Sequence, residues 1–172
     1  MKEIPITQGK VALVDDEDFV FLNSFKWTAT RGKRKNGQDC FYAYRSEKKG
    51  GKWRPILMHR IILDAKKGQL VDHRNHDCLD NRRSNLRLAT QSQVHANRKI
   101  SFGSSKYKGV SWFDRTGKWV VYIRIQGKQK NVGYFETEEE AARAYDAKAR
   151  ELFGEFARLN FPDREPTETK GF

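Results

Sequence analysis

The chain has 172 residues, of which 37% are hydrophobic and 33% are charged, so it has room for one domain or two small ones rather than one large core. Lys and Arg outnumber Asp and Glu by 34 to 22, for a formal net charge of +12, which favours a polyanionic partner and above all nucleic acid. The apolar runs are too short for a transmembrane helix, and residues 1–5 lack the hydrophobic segment of a signal peptide. We therefore expect a cytoplasmic protein with no membrane contact.

The two cysteines, Cys40 and Cys78, are far apart in the sequence and neither has a CxxC partner. Two thiols are too few for a zinc–thiolate site and agree with a reducing compartment. We expect no disulfide between them.

Residues 1–25 show two apolar runs, residues 11–14 and residues 19–22, on either side of the acidic residues 15–18. The pattern predicts two short strands. The acidic residues lack the alternating ligand spacing and the glycine of a calcium loop, which favours a charged turn or a helix N-terminus over a metal site.

Residues 26–60 form a basic arm in which aromatic residues alternate with cations. An Asn36-Gly37 pair predicts a hairpin with a basic tip, and a second turn at residues 49–52 leads into a strand at residues 53–57. Such a ribbon fits a duplex groove, because cations contact phosphates while aromatic rings stack on bases or sugars.

The stretch from residue 70 to residue 98 carries the candidate chemistry. Hydrolysis of a phosphodiester needs a base to deprotonate water, a cation to neutralise charge on the phosphate, and a group that orients the base. A short strand at residues 70–71 delivers Asp72 and His73 to a polar loop, and Asn85 is placed to fix the imidazole tautomer through its amide. A polar loop with capping Asp and Asn residues is the alternative, and the basic net charge favours phosphoryl chemistry.

Other polar residues of this region have simpler interpretations. His59 lies beside an apolar run and is interpreted as a packed support residue. Zinc is disfavoured, since a tetrahedral site needs softer ligands than this stretch supplies. The residues interpreted as loop-shaping and capping groups are His76, Asp77, Asp80 and Asn81.

A small-residue stretch at residues 101–105 predicts a linker, so the first domain is residues 1–100 and the second is residues 106–162. The second domain reads as three strands joined by glycine turns, followed by a helix with a Thr137/Glu140 capping box that ends at Gly154. Residues 163–172 are polar and are expected to fray.

Specific motifs carry two family resemblances. Met58-His59-Arg60, Val71-Asp72-His73 and residues 79–90 resemble the HNH family of phage and homing endonucleases, which have a ββα-metal (His-Me finger) fold. Tyr107-Lys108-Gly109-Val110, Val132-Gly133-Tyr134-Phe135, residues 141–146 and Leu159-Asn160-Phe161-Pro162 resemble the ethylene-response-factor (APETALA-type) DNA-binding domain. The fold class is thus α+β: a β-rich arm with a ββα-metal core, linked to a three-stranded antiparallel sheet packed on one helix.

The HNH resemblance implies that Asp72 binds one divalent metal, that His73 is the general base and that Asn85 orients it. The metal is expected to be Mg²⁺, with Mn²⁺ able to substitute. The family takes a second ligand from the following helix, at the position where this chain has Val94. Valine cannot coordinate a metal, so the second ligand is His95, Asn97 or missing.

The second resemblance implies that the sheet enters the major groove of double-stranded DNA. Trp112, Trp119 and Tyr134 are expected to be core or platform residues rather than base stackers. The residues expected to contact DNA are Arg31, Lys33, Arg34 and Lys35 in the arm, and Lys108, Arg115, Lys118, Tyr122, Arg124, Lys128 and Lys130 in the second domain.

Three functional hypotheses follow. The first is a monomeric, metal-dependent endonuclease that nicks duplex DNA in a phage or bacterial host cell, with the second domain as its anchor. The second, suggested by Val94, is a non-catalytic DNA-binding regulator built on a degenerate HNH scaffold. RNA binding is a weaker third hypothesis, since nothing resembles an RNA-recognition fold.

Overall fold

The computed structural model describes residues 1–32, 40–98 and 103–162, and the chain forms two compact units, Met1–Thr90 and Gln91–Phe172. Both units mix helices and strands, which confirms the coarse α+β prediction. Residues 101 and 102 of the predicted linker and the predicted tail at residues 163–172 lie outside the described residues.

Three small sheets and two short helices make up the part of unit 1 that the structure describes. The five residues of β1 pair with β2 in an antiparallel hairpin, β3, β4 and β5 form a sheet in that order, and β6 pairs with β7. The elements are β1 (Lys2–Ile6), β2 (Lys10–Val14), α1 (Asp16–Asn23), β3 (Thr28–Gly32), β4 (Cys40–Lys49), β5 (Lys52–Leu57), α2 (Met58–Ile62), β6 (Leu70–His73) and β7 (Leu86–Ala89).

The core of unit 1 collects the inward residues of these short elements, including Ile4, Val14, Leu22, Trp27 and Met58. The predicted strand at residues 19–22 is wrong, because this run lies in α1. A four-residue apolar run fits a strand or a helix equally well. The acidic residues before it occupy the first turn of α1, where they interact favourably with the positive end of the helix dipole.

The hairpin predictions for the basic arm are confirmed where the structure describes them. Gly32 pairs with Cys40 at the ends of β3 and β4, while the predicted Asn36-Gly37 turn and the predicted DNA contacts Lys33, Arg34 and Lys35 lie outside the described residues. The second turn joins β4 to β5 as predicted.

The expectation that the cysteines are unpaired is wrong. Cys40 and Cys78 form a disulfide whose Cα atoms are 6.2 Å apart, and both residues are buried. The bond joins the first residue of β4 to the polar loop that follows β6. Sequence spacing alone does not reveal it, because the contact depends on the packing of two elements 38 residues apart.

Unit 2 begins with a short helix and continues as a three-stranded meander covered by a long helix. The strand order is β10-β9-β8, all antiparallel, as predicted. Its elements are α3 (Gln91–Asn97), β8 (Val110–Phe113), β9 (Lys118–Ile125), β10 (Lys128–Phe135), α4 (Glu138–Phe153) and a 3-10 helix (Gly154–Phe156).

Small residues let α4 lie close to the sheet. Ala141, Ala142 and Ala149 are buried on its inner face, and the capping box between Thr137 and Glu140 starts the helix as predicted. Gly109 has φ +78°, and a Cβ atom there would lie 2.1 Å from a ring carbon of Tyr145 on α4. Only glycine combines this backbone conformation with so close an approach.

The end of unit 2 is held by a buried carboxylate. Asp146 on α4 accepts hydrogen bonds from the backbone N–H groups of Asn160 and Phe161, both at 2.8 Å. The Asn160 side chain in turn binds the backbone of Lys108. The motif at residues 159–162 therefore ties the chain after α4 back to the start of β8.

No helix in the described parts of the chain is long and apolar enough to span a membrane.

Reduction of the Cys40–Cys78 disulfide is expected to destabilise unit 1. Opening a loop of this length, 38 residues, costs about 4 kcal/mol in the chain-entropy account. Urea unfolding with and without dithiothreitol measures the effect, and the Cys40→Ala/Cys78→Ala variant provides the control, because its stability should not respond to the reductant. An equal response of natural chain and variant would contradict the disulfide.

Candidate functional site

The last two residues of β6 carry the predicted chemistry. Asp72 and His73 are both buried, with 8% and 6% of their surface exposed. In the β6–β7 hairpin Asp72 lies opposite Arg87, and His73 lies opposite Leu86. Neighbouring residues of a strand point to opposite faces, so the two side chains have different surroundings.

The Asp72 carboxylate forms a buried ion pair with Arg87. The guanidinium Nε and Nη2 of Arg87 lie 2.9 and 2.8 Å from Oδ2 of Asp72, and Arg87 is itself buried. A charge-assisted pair of this geometry fixes the carboxylate. A carboxylate has about four lone-pair sites, so Arg87 does not exhaust its capacity to accept ligands.

The imidazole of His73 packs against two other rings. Its centroid lies 5.1 Å from the His59 ring and 6.1 Å from the Tyr42 ring, and Tyr42 also contacts His59 at 5.5 Å. His59 is buried, as expected of a support residue. The rings of His59 and Tyr42 hold the imidazole of His73 from the side of α2 and β4.

Burial lowers the pKa of His73 from its usual value, because a charged imidazolium loses its hydration inside the protein. The neighbouring Asn81 side chain and the nearby carboxylates of Asp72, Asp77 and Asp80 oppose this shift, because they favour the protonated imidazole. The imidazole is therefore neutral at neutral pH and able to accept a proton.

The loop between β6 and β7 is held by Asn85. Its Oδ1 accepts from the backbone N–H of Asn75 at 3.0 Å, and its Nδ2 donates to the carbonyl of Asp80 at 2.7 Å. The backbone carbonyl of Asn85 also accepts from the N–H of Arg74. The side chain thus fixes the start and the middle of the loop after His73, so it positions His73 through the loop backbone.

The remaining loop residues have the shaping roles expected of them. Asp80 binds Arg82 through both carboxylate oxygens and accepts from Asn75 at 2.8 Å, and the hydrogen bond from Arg82 lowers the pKa of Asp80. Asp77 accepts from the N–H of Leu79. These bonds satisfy the backbone of a loop that carries little apolar surface.

The sequence interpretation of Asn81 as a loop-shaping residue does not include its position beside His73. Asn81 is 1% exposed, its backbone N–H donates to Leu13 in β2, and its side chain lies beside His73. The only sequence signal is a carboxamide in a polar loop, and such residues are usually turn formers. Its role depends on β2, which is distant in the sequence.

The donor set of unit 1 fits Mg²⁺ better than zinc. Mg²⁺ commonly takes one or two protein carboxylates and fills its other positions with waters and substrate phosphates, so a site centred on Asp72 is chemically adequate. A zinc site needs several nitrogen or sulfur ligands. Among the residues that the structure describes, no group of three or more His, Cys, Asp and Glu is arranged to hold a metal.

The candidate second ligands lie on α3, which belongs to unit 2. His95 Nε2 lies 2.9 Å from the side-chain nitrogen of Gln91. Burial and then the charges of Arg98, Arg124 and Lys108 lower the pKa of His95. These neighbouring cations disfavour a divalent cation beside His95. Asn97 is buried.

Two of the expected DNA contacts have partners within unit 2. The ammonium group of Lys108 donates to the carbonyls of Ala96 and Arg98 at the end of α3, and burial lowers its pKa to about 8. Lys118 pairs with Glu136 at 2.6 Å. Lys108 therefore stabilises the C-terminal end of α3 in this structure.

The sheet divides the other expected contacts between its two faces. Tyr122 and Arg124 lie on one face of β9, opposite Asn131 and Gln129 of β10, whereas Lys128 and Lys130 pair with the isoleucines of the other face. Arg31 in unit 1 is exposed. The exposed residues of the unit 2 set are Arg115, Arg124, Lys128 and Lys130.

The three aromatic residues expected in the core of unit 2 are only partly covered. Trp112 and Trp119 contact each other with ring centroids 5.1 Å apart, but Trp112 is 40% exposed and Tyr134 is 47% exposed. Tyr134 contacts Phe113. Their partial exposure agrees better with a platform position than with a core position, the two alternatives that the sequence left open.

Comparison with known proteins finds one family in each half of the chain, although the first match extends across the boundary between the units into α3. The profile of the HNH endonuclease family matches residues 57–96, and the profile of the AP2 domain matches residues 105–155. An uncharacterized HNH endonuclease of Acanthamoeba polyphaga mimivirus is 40% identical over 159 residues, which cover 89% of this chain and 76% of that protein.

Plant proteins match only the C-terminal part. APETALA2-like protein 2 of Oryza sativa subsp. indica is 47% identical over 58 residues, 34% of this chain and 13% of that protein. An ethylene-responsive transcription factor of Arabidopsis thaliana is 43% identical over 72 residues, 39% of this chain and 37% of that protein. No solved structure matches the chain.

Acidification is expected to destabilise unit 1 through His59. Burial, followed by the charges of His73 and Arg60, lowers the pKa of His59 to about 3, whereas in the unfolded chain it is about 6.5. The unfolded state therefore binds more protons below pH 6.5, and stability falls by about 2 kcal/mol between pH 7.5 and pH 5.

Urea unfolding at both pH values measures this loss. The variant His59→Phe should lose the share of His59, about 2 kcal/mol by linkage, and should keep the part that comes from His73, whose pKa burial also lowers. His76→Asn, which removes a histidine from the loop, should keep the whole pH dependence. If His59→Phe retains the full pH dependence, the prediction that folded His59 stays neutral at pH 5 is wrong.

Proposed function

The chain belongs to the HNH endonuclease family, and we propose that it is a divalent-metal-dependent endonuclease that hydrolyses phosphodiester bonds of duplex DNA. The observation that carries the proposal is the pair Asp72 and His73 at the end of β6, within the matched segment at residues 57–96. The pair combines a fixed carboxylate with a neutral imidazole, which are the groups that phosphodiester hydrolysis needs.

His73 is the proposed general base. Its neutral imidazole accepts the proton of the attacking water, and the positive charge that develops is stabilised by Asp72, Asp77 and Asp80. Asn81 and the rings of His59 and Tyr42 hold the imidazole in place. Asn85 fixes the backbone of the loop after His73, and this loop carries Asn81.

Asp72 is the proposed metal-holding residue, with Mg²⁺ as the expected ion and Mn²⁺ as a substitute. A bound divalent cation supplies charge neutralisation at the phosphate. Arg87 holds the carboxylate in one orientation, so the oxygen donor is preorganised. Because Val94 stands at the family's ligand position, the second ligand is proposed to be His95 or Asn97, or to be missing. The cations around His95 disfavour that residue of the two.

The proposed product is a nick. One HNH centre acts on one strand at a time, and a monomer carries one such centre. Unit 2 is the proposed anchor on duplex DNA, with Tyr122 and Arg124 on the face of β9 that would enter the groove and Arg115 on the exposed turn before it. Phosphate contacts by these cations fix the register on the duplex.

The proposed site of action is the cytoplasm of a host cell. Disulfides are rare in that compartment, and the Cys40–Cys78 bond is then expected to be reduced there.

Removal of the base should abolish cleavage and preserve binding. His73→Ala is expected to lower the nicking rate by 10²- to 10⁴-fold, on the order of the contribution of a general base. The matched control is His76→Ala, three residues further along the same loop. Nicking of supercoiled plasmid with Mg²⁺ measures the rate, and a mobility shift in EDTA measures affinity, which should be unchanged in both variants. Cleavage by His73→Ala at the natural rate would end the assignment.

A second candidate is a DNA-binding regulator without nuclease activity. Two observations favour it: Val94 stands at the ligand position of the family, and the carboxylate of Asp72 is already balanced by Arg87. It predicts tight, salt-sensitive binding to duplex DNA with no cleavage in any divalent metal. Robust nicking by the natural chain would eliminate it.

A further inference from the structure

The hairpin at the ends of β4 and β5 projects beyond the rest of its sheet. The strand β3 pairs with β4 only between Cys40 and Tyr44, whereas β4 runs on to Lys49, paired with β5 alone. Every residue from 46 to 55 is exposed. A two-stranded hairpin gains little stability by itself in water, so core packing does not account for its length.

This projecting segment, residues 46–55, is strongly basic. It carries four cations, Lys48, Lys49, Lys52 and Arg54, against the single carboxylate of Glu47, and Glu47 is paired with Arg45 outside the segment. Within the parts of the chain that the structure describes, none of the four cations has a carboxylate partner. The segment therefore presents uncompensated positive charge to solvent.

Trp53 has no role in protecting the edge of the sheet, so its exposure needs another explanation. Lysines and Pro55 on an edge strand keep other strands from pairing with it, which accounts for the charges by themselves. Trp53 is 69% exposed and lies opposite Lys48. An exposed aromatic ring on an edge promotes association. The Trp53 ring shares its face of the hairpin with Lys48, while Lys49, Lys52 and Arg54 lie on the other face, and an aromatic ring accompanied by cations is suited to a nucleic acid.

The dimensions of the segment match a DNA groove. Gly50 and Gly51 have φ +58° and +77°, which allows a tight two-residue turn. Four residues on each strand, 46–49 and 52–55, are separated by three steps of 3.4 Å and so extend about 10 Å. The major groove is about 12 Å wide and 8.5 Å deep and admits a two-stranded ribbon. We propose that residues 46–55 enter the major groove of duplex DNA, with the cations on phosphates and Trp53 against base edges.

The strand β4 connects this segment to the nuclease centre of the proposed function, on which the inference rests. Tyr42 contacts His73, and Lys49 lies seven residues further along the same strand. At 3.4 Å per residue this is about 24 Å, the length of about seven base pairs. The ribbon contacts are thus expected within one helical turn of the scissile phosphate.

Salt dependence of binding tests the phosphate contacts. Fluorescence anisotropy of a 30-base-pair duplex of mixed sequence, in EDTA, compares the natural chain with Lys49→Gln/Lys52→Gln. Loss of two phosphate contacts should reduce the slope of log affinity against log salt by about 1.8. The matched control Lys66→Gln/Lys67→Gln removes two exposed cations from the turn before β6 and should leave the slope unchanged. Equal changes in both variants, or no change in either, would overturn the proposal.

Trp53→Ala tests the aromatic contact without a change of charge. It should weaken duplex binding by about fivefold or more without changing the salt slope, because the apolar surface that Trp53 buries against the base edges is lost. Val20→Ala, which shortens another exposed apolar residue, should not weaken binding. A larger loss on single-stranded DNA than on the duplex would contradict groove entry. Because these binding measurements are made in EDTA, they do not depend on whether the nuclease is active. If the natural chain cleaves DNA but the variants bind it as the natural chain does, only the proposal for residues 46–55 is overturned.

Discussion

The candidate site depends on the two hydrogen bonds that the Asn85 carboxamide makes to the loop backbone. The residues between β6 and β7 form a polar loop with little apolar surface, so hydrogen bonds rather than packing must fix its shape. From the end of that loop, the Asn85 side chain binds the backbone of Asn75 near its start and of Asp80 in its middle. A buried amide that lost these bonds would leave backbone groups unsatisfied, at about 1–3 kcal/mol each. His73, at the start of the loop, is held in position by this arrangement.

Much of the fold follows from local sequence patterns. The Gly50-Gly51 turn, the meander of unit 2 and the capping box at Thr137 were predictable because turn chemistry and capping act over a few residues. The helix α1 was not, because a short apolar run has no decisive period. The disulfide between Cys40 and Cys78 was not predictable either, since it depends on how two distant elements pack.

The site shows the same division. Asp72 and His73 stand at the end of a strand as the sequence predicts, because a short apolar run before a polar loop is a local signal. Their surroundings come from elsewhere: Tyr42 from β4, His59 from α2 and Asn81 through its bond to β2. Lys108 has a partner at the end of α3, which a count of basic residues cannot anticipate. Positions were predictable, and partners were not.

The central claim is that the centre at Asp72 and His73 hydrolyses DNA although Val94 occupies the family's ligand position. The most direct measurement is conversion of supercoiled plasmid to open circles by the natural chain and by Val94→Asn, in Mg²⁺, Mn²⁺ and EDTA. The account predicts nicking by the natural chain with either metal and none in EDTA, with Val94→Asn active at lower metal concentration. No nicking by the natural chain in either metal, together with nicking by Val94→Asn, would contradict it.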